Sequence, residues 1–205
     1  MDAQAWDARY AAAGRMWPAE PNRWIREATA DLPPGRALDV AAGEGRHARW
    51  LAERGWRVDA VDFSPTALRR GAAAADRLGV GHLIRWVEAD VAVTAPDPHE
   101  YDLALVAYLQ LPAGQLGTAV RAAAAALRPG GLLVVVGHHV DNLTAGVGGP
   151  QDAAVLFTPE EVTDHLASTD LVLERAETVR RPVPDVTRNA IDALVTARRP
   201  MGLRA

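Results

Sequence analysis

Short apolar runs alternate with longer amphipathic stretches along most of the chain. Residues 37–40, 57–61, 83–87, 101–107 and 132–136 are apolar nearly throughout, which predicts strands covered on both faces rather than strands with one wet side. The segments between them have helical patterning. Residues 48–53 lie in a helix that Gly55 ends. Ser64 and Pro65 are an N-cap and first-turn pair opening a helix that reaches about Leu78, with Gly79 beyond its end. "PAGQLGTAVRAAAAAL" reads as a helix closed by the stop signal "RPGG", and Thr158, Pro159 and Glu161 open another. Residues 171–179 and 190–197 carry alternating apolar positions and are joined by "RRPVPDVTR", with no helix between them. They read as an antiparallel strand pair at the edge of an otherwise parallel sheet. Strands that alternate with helices in this way predict an α/β fold of three layers.

The length of 205 residues suits one domain with a sizeable core. A formal net charge of -4 argues against a nucleic-acid partner, which needs a clustered basic face. The pairs Arg69-Arg70, Arg180-Arg181 and Arg198-Arg199 are scattered and read as solvated faces. Without cysteine there are no disulfides, cysteine nucleophiles or thiolate metal sites. The longest apolar run, "LLVVV", is too short to span a bilayer, and no leader pattern opens the chain. These features predict a cytoplasmic protein with no membrane partner; either a monomer or a homodimer is compatible with them.

The chemistry concentrates in "RALDVAAGEGRHARWLAERGWRVDAVDFS", residues 36–64. In an open parallel sheet, ligands bind beyond the carboxyl ends of the strands, and glycines after the first strand let the backbone approach them. The three glycine-type positions here are Ala41, Gly43 and Gly45. Asp62, closing the second strand, suits a ribose diol. Asp39 closes the first strand, where a carboxylate would repel a pyrophosphate but tolerate a cationic ligand. S-adenosylmethionine has both a sulfonium and an amino group. The competing explanation is that Asp39 and Asp62 are structural caps.

This stretch resembles the cofactor motif of the class I S-adenosylmethionine-dependent methyltransferases. It is most similar to their small-molecule branch of tellurite-resistance and thiopurine-type enzymes. The likeness extends to "WDARYAAAGRMWPAEPNRWI" as an N-terminal cap, with residues 1–31 closing over the cofactor, and to "RWVEADV", "YDLALVAYLQLP" and "LRPGGLLVVVG". Ala41 departs from the family's usual glycine. The resemblance implies one Rossmann-like three-layer domain, with a mostly parallel seven-stranded sheet and an antiparallel last strand. It implies that Asp39 and the backbone at Ala41 and Gly43 hold the methionine amino group, Arg46 its carboxylate and Asp62 the ribose. Asp90 and Val91 would meet the adenine. Gly45, Phe63, Ala107, Tyr10 and Trp17 complete the implied cofactor set, and S-adenosylhomocysteine is the implied product.

Methyl transfer is an in-line displacement governed largely by positioning, and a hydroxyl acceptor benefits from a general base. The fifth strand runs into "GHHVDN", which places His138 and His139 at the site rim after a turn at Gly137. Histidine is available as a neutral base near physiological pH. Adjacent side chains on an extended chain point in opposite directions, so one of the pair faces the acceptor. His139 is preferred, and Tyr108 is a further candidate for the methyl channel. His138, His139 and Asp141 together are an alternative divalent-metal set, not the favoured one. The long glycine-rich loop "NLTAGVGGPQDAAVLFTP" offers Gln151 and Asp152 to the acceptor. A hydroxyl acceptor is expected, and the loop and histidine pair are also similar to small methyltransferases acting on methylated mannosides in polysaccharide assembly. The alternatives are a thiol or tellurite-type metalloid acceptor, a nicotinamide-dependent oxidoreductase, and a module that binds cofactor without catalysis.

Overall fold

In the computed structural model, which describes residues 3–12 and 18–202, the strands form a single sheet of seven in the order β3-β2-β1-β4-β5-β7-β6. The strands are β1 (Arg36–Val40), β2 (Arg57–Asp62), β3 (Ile84–Glu88), β4 (Tyr101–Ala107), β5 (Leu127–His138), β6 (Val172–Arg181) and β7 (Ala190–Arg198). The first five are parallel, and β7 runs antiparallel between β5 and β6. The helices are α1 (Ala3–Ala12), α2 (Arg23–Thr29), α3 (Arg46–Ala52), α4 (Pro65–Arg77), α5 (Ala113–Ala126), α6 (Asn142–Ala145) and α7 (Pro159–Leu166). Strand order reverses between β1 and β4, which sets a crevice at their carboxyl ends.

Strand alternation divides the core into two layers. Leu38, Val40, Val106, Val135 and Val195 pack against α5 and α7. Ala37, Leu105, Val134, Val136 and Leu194 face the other way, against Ile25 of α2 and Leu51 of α3. The expected caps form. Ser64 accepts from the Ala67 amide, and Thr158 with Glu161 makes a reciprocal capping box at α7. No helix among the described residues is long and apolar enough to cross a membrane.

α5 ends at Ala126, just before "RPGG", as that stop signal predicts. "RPGG" then forms a bulge within β5, between Leu127 opposite Tyr101 and Leu132 opposite Leu103. One local expectation is corrected: the chain does not turn at Gly137 but stays in the strand opposite Ala193. Its lack of a side chain makes room for Phe157, whose ring would lie 2.5 Å from an added Cβ. The strand therefore carries its alternation through His138, and this decides which histidine faces which layer.

Candidate active site

After β1 the chain turns through Ala41, Gly43 and Gly45, all three in left-handed backbone conformation. The Ala42 amide donates to the Val61 carbonyl at 2.9 Å, and the Gly43 amide to Asp62 Oδ2 at 2.8 Å. Asp62 Oδ1 accepts from the Ser64 amide at 2.9 Å, so this one carboxylate ties the turn to the start of α4. Burial raises its pKa against the pull of the Ser64 and Gly43 amides. A Cβ on Gly43 would stand 2.6 Å from the Tyr10 hydroxyl, and one on Gly45 2.4 Å from the Trp86 ring. Gly43 thus admits the cap helix onto the turn. Gly45 lets the N-terminus of α3 settle against Trp86.

Above the turn lies a cavity of about 770 Å³, a size suited to a small molecule. Tyr10, Ala41, Gly43, Arg46, Asp62, Phe63, Val91, Ala107, Tyr108 and His138 all line it. Trp6 joins Tyr10 from the cap helix. Of the other cap aromatics, Trp24 is buried in the core, and Trp17 lies outside the described residues. Asp39, Gly45, Asp90, His139, Gln151 and Asp152 are not on the cavity wall.

Asp39 is fully buried behind the turn, and neither carboxylate oxygen makes a hydrogen bond of normal geometry, although the Ala48 amide faces it. Burial pushes its pKa up to about 7, with the Ala48 amide and Arg46 opposing and Asp62 reinforcing. The nearest imidazole nitrogen, His47 Nδ1, is 3.9 Å away. Burial, then Arg46 and Arg49, hold the His47 pKa well below its ordinary value, so it is neutral and does not form an ion pair with Asp39. Asp90 is exposed and turns back to accept from the Ala92 amide at 2.9 Å, while its neighbours Ala89 and Val91 line the cavity.

The far wall is a polar cluster. Tyr108 leaves β4 with a left-handed backbone (φ 56°), anchored by its amide on the Val136 carbonyl at 2.7 Å. Its hydroxyl accepts from Asn22 Nδ2 at 2.7 Å and donates to Asp192 Oδ2 at 2.8 Å. Arg181 Nε donates to the same oxygen at 2.8 Å. The guanidinium carbons of Arg46 and Arg181 lie 5.6 and 5.8 Å from the Tyr108 ring centre. Burial, and after it the Asp192 charge, raise the phenol far above its ordinary pKa, so Tyr108 acts here as a donor and not as a base. Burial lowers the His138 pKa, with Asp192 opposing, and favours the neutral ring.

The preference for His139 therefore passes to His138. His138 shares the alternation of Val134 and Val136 and faces the cavity, its ring centre 5.0 Å from that of Tyr108. His139 falls on the opposite side, beside Phe157, and its Nδ1 accepts from the Asp141 amide at 3.0 Å. His139 Nδ1 stands 3.5 Å from Asp141 Oδ2, but His138 faces the cavity instead, and no group of three or more candidate ligands converges among the described residues. Gln151 bonds only to backbone carbonyls of its own loop, and Asp152 accepts from the Ala154 amide. The loop meets the cavity instead through Val147, Gly148 and Gly149. Asn142 holds it there, accepting from the Ile191 amide at 2.7 Å and donating to the Gly148 carbonyl at 2.7 Å.

Sequence reading missed Asp192, Asn22 and Arg181, the last assigned to a solvated face. One signal was present: an acid inside the apolar run "AIDALV", where a lone carboxylate needs partners.

Residues 37–131 match the family model described as a methyltransferase domain. The chain has the α/β Rossmann-like fold of methyltransferases. The matched stretch contains the glycine turn, Asp62 and Tyr108, while His138, Arg181 and Asp192 lie beyond it. Among curated proteins, "Hemagglutinin 1" of Eikenella corrodens is 32% identical over 114 residues, which is 55% of this chain and 37% of that protein. The chain thus spans little more than a third of the length of that relative. A solved structure described under conversion of a disulfide bond into a thioacetal group during echinomycin biosynthesis superposes with a TM-score of 0.75. It is 21% identical, with 98% of this chain and 93% of that one covered. The 1,6-didemethyltoxoflavin-N1-methyltransferase of Burkholderia thailandensis, solved with 1,6-didemethyltoxoflavin and S-adenosylhomocysteine, is 25% identical at a TM-score of 0.67. Coverage is 97% of this chain and 87% of that one.

Proposed function

We propose that this chain is an S-adenosylmethionine-dependent methyltransferase of a small-molecule hydroxyl, with His138 as the general base. The observation that carries the reading is Asp39: a buried carboxylate with no hydrogen bond of normal geometry beneath a glycine turn that opens on a cavity. Such an acid fits a cofactor bearing an ammonium and a sulfonium, and it is unsuited to a pyrophosphate. When bound, S-adenosylmethionine supplies an electrophilic methyl group. Asp39 and the Ala41–Gly43 turn would hold the amino end, Arg46 the carboxylate and Asp62 the ribose. Phe63, Val91 and Ala107 would wall the nucleoside, with Asp90 at its edge, and Trp6 and Tyr10 would exclude water from above.

An oxygen acceptor is favoured because His138 presents a neutral imidazole to the cavity, able to receive a hydroxyl proton as the oxygen attacks. A sugar hydroxyl is one such acceptor. A thiolate or a metalloid oxyanion would need no such base.

Thermal unfolding with S-adenosylhomocysteine, with NAD and without ligand tests the cofactor. A ligand at about 100 times its dissociation constant adds about 2.7 kcal/mol, so stabilisation by S-adenosylhomocysteine alone is expected. Stabilisation by NAD alone would move the assignment to hydride transfer. Methyl transfer to panels of sugar, phenol, thiol and metalloid acceptors then tests the substrate class. Turnover of thiols with no hydroxyl turnover would overturn the oxygen acceptor.

A further inference from the structure

Two buried atoms face each other across the far wall without a hydrogen bond. His138 Nδ1 and Asp192 Oδ1 are both enclosed and unpaired, and they stand 3.4 Å apart. The other oxygen of Asp192 is committed, taking Tyr108 Oη and Arg181 Nε at 2.8 Å each. Those two donors hold the carboxylate through Oδ2 and leave Oδ1 unpaired 3.4 Å from the imidazole nitrogen. A neutral histidine carries its proton on one nitrogen only, and the partner of the other decides which. If the proton sat on Nε2, Nδ1 and Oδ1 would oppose two lone pairs in a buried space, and both polar atoms would stay unsatisfied.

We propose that Asp192 is the positioning residue for His138, holding the proton on Nδ1 so that the Nε2 lone pair faces the acceptor. This rests on the reading of His138 as base but makes a separate claim about the resting tautomer. The charged and titratable groups around the ring are Asp192 on β7, Arg181 on β6, Tyr108 at the end of β4 and Arg46 on α3 behind Tyr108. Asp192 is the only acid among them, so it alone can accept the Nδ1 proton. The arrangement also accounts for a carboxylate in the middle of an otherwise apolar buried strand.

Ring nitrogen-15 shifts of histidine-labelled protein, saturated with S-adenosylhomocysteine at about pH 8 where the ring is neutral, test the tautomer without any acceptor. His138→Gln assigns the signal. Protonated Nδ1 with free Nε2 is the expected result, and the reverse tautomer in the wild-type protein overturns the proposal. In Asp192→Asn the Nδ1 preference should be lost, and turnover with whichever acceptor the panel identifies should fall about 10²-fold or more. S-adenosylhomocysteine affinity should change by less than about threefold, and the acid limb of the kcat/KM profile should move to lower pH because the acid that supports the imidazolium is gone. An Asp192→Asn protein with wild-type turnover and pH profile overturns the positioning role even if His138→Gln is dead. Retained turnover in His138→Gln instead overturns the base, while the tautomer measurement still decides the contact. Should Asp192→Asn fail to fold, the wild-type tautomer remains decisive.

Discussion

Asp7 on the cap helix accepts a 2.6 Å hydrogen bond from the Ser64 hydroxyl at the start of α4. It also takes the Thr66 amide and hydroxyl at 3.0 Å each. One side chain thus latches α1 to the helix that follows β2, two residues beyond Asp62, while Tyr10 rests on Gly43. The latch sits on top of the cavity and adds little to the core. Asp7→Asn is therefore expected to speed release of S-adenosylhomocysteine several-fold with little change in melting temperature, as read by stopped-flow tryptophan fluorescence. The Ser64 hydrogen bond, then the Thr66 amide, hold the Asp7 pKa below its usual value. The latch is accordingly strongest above the unfolded pKa and is lost as pH falls through the lower folded one. Unchanged release rates would show that α1 is held by other contacts.

Asp39 gives the opposite slope. Its folded pKa of about 7 lies above the ordinary carboxylate value of 3.8, so between these limits the folded cofactor-free protein keeps a proton that the unfolded chain has released. Stability of the cofactor-free protein should fall as pH rises across that window, by roughly 4 kcal/mol at most, and level off above it. A cofactor ammonium placed beside the carboxylate favours the ionised form, so S-adenosylhomocysteine affinity should rise over the same range. Melting curves from about pH 5 to pH 8, with and without ligand, check both slopes. Asp39→Asn should flatten the slope, leaving the part due to Asp62, and weaken the ligand. A variant with unaltered affinity would remove Asp39 from the cofactor site.

Tyr108→Phe separates the donor role of the phenol from a chemical one. It leaves Arg181 on Asp192 but strips Asn22 Nδ2 of its partner, at a cost of about 1–3 kcal/mol in chemical denaturation. Turnover is expected to drop by less than about tenfold, since the hydroxyl proton is already given to Asp192. A folded variant with a collapse of 10²-fold or more would place the phenol among the reacting groups, contrary to its role here.

Gly45→Ala meets two penalties together: a left-handed backbone and a ring carbon of Trp86 at 2.4 Å. We expect a loss of about 2–4 kcal/mol. Trp86→Leu should recover part of that loss in the double variant, and a double-mutant cycle by urea unfolding reads the coupling. Strict additivity would mean that α3 does not pack on Trp86 through this glycine.

The cofactor half of the site was legible because it is local. Asp39, the turn residues and Asp62 fall within one strand–turn–helix–strand unit, where a period change from strand to helix marks the turn and the acids mark its edges. The far wall was legible only in part: Tyr108 and the histidine pair stood out, but not the partners they meet. Asn22, Tyr108 and Asp192 are brought together across 86 and 84 residues of chain, and no local pattern announces such a meeting.

By itself, the sequence determined an α/β sheet with its strand–helix alternation, the glycine turn between two acids and the pair of histidines near the end of the fifth strand. Each follows from periodicity or backbone preference acting over a few residues. Only the tertiary structure decided which histidine faces the cavity, which arginine leaves the surface and which acid stands behind the imidazole. Those choices depend on the length of β5 and on β7 inserting antiparallel beside it. Cross-strand register sets both, and the residues that make it lie far apart along the chain.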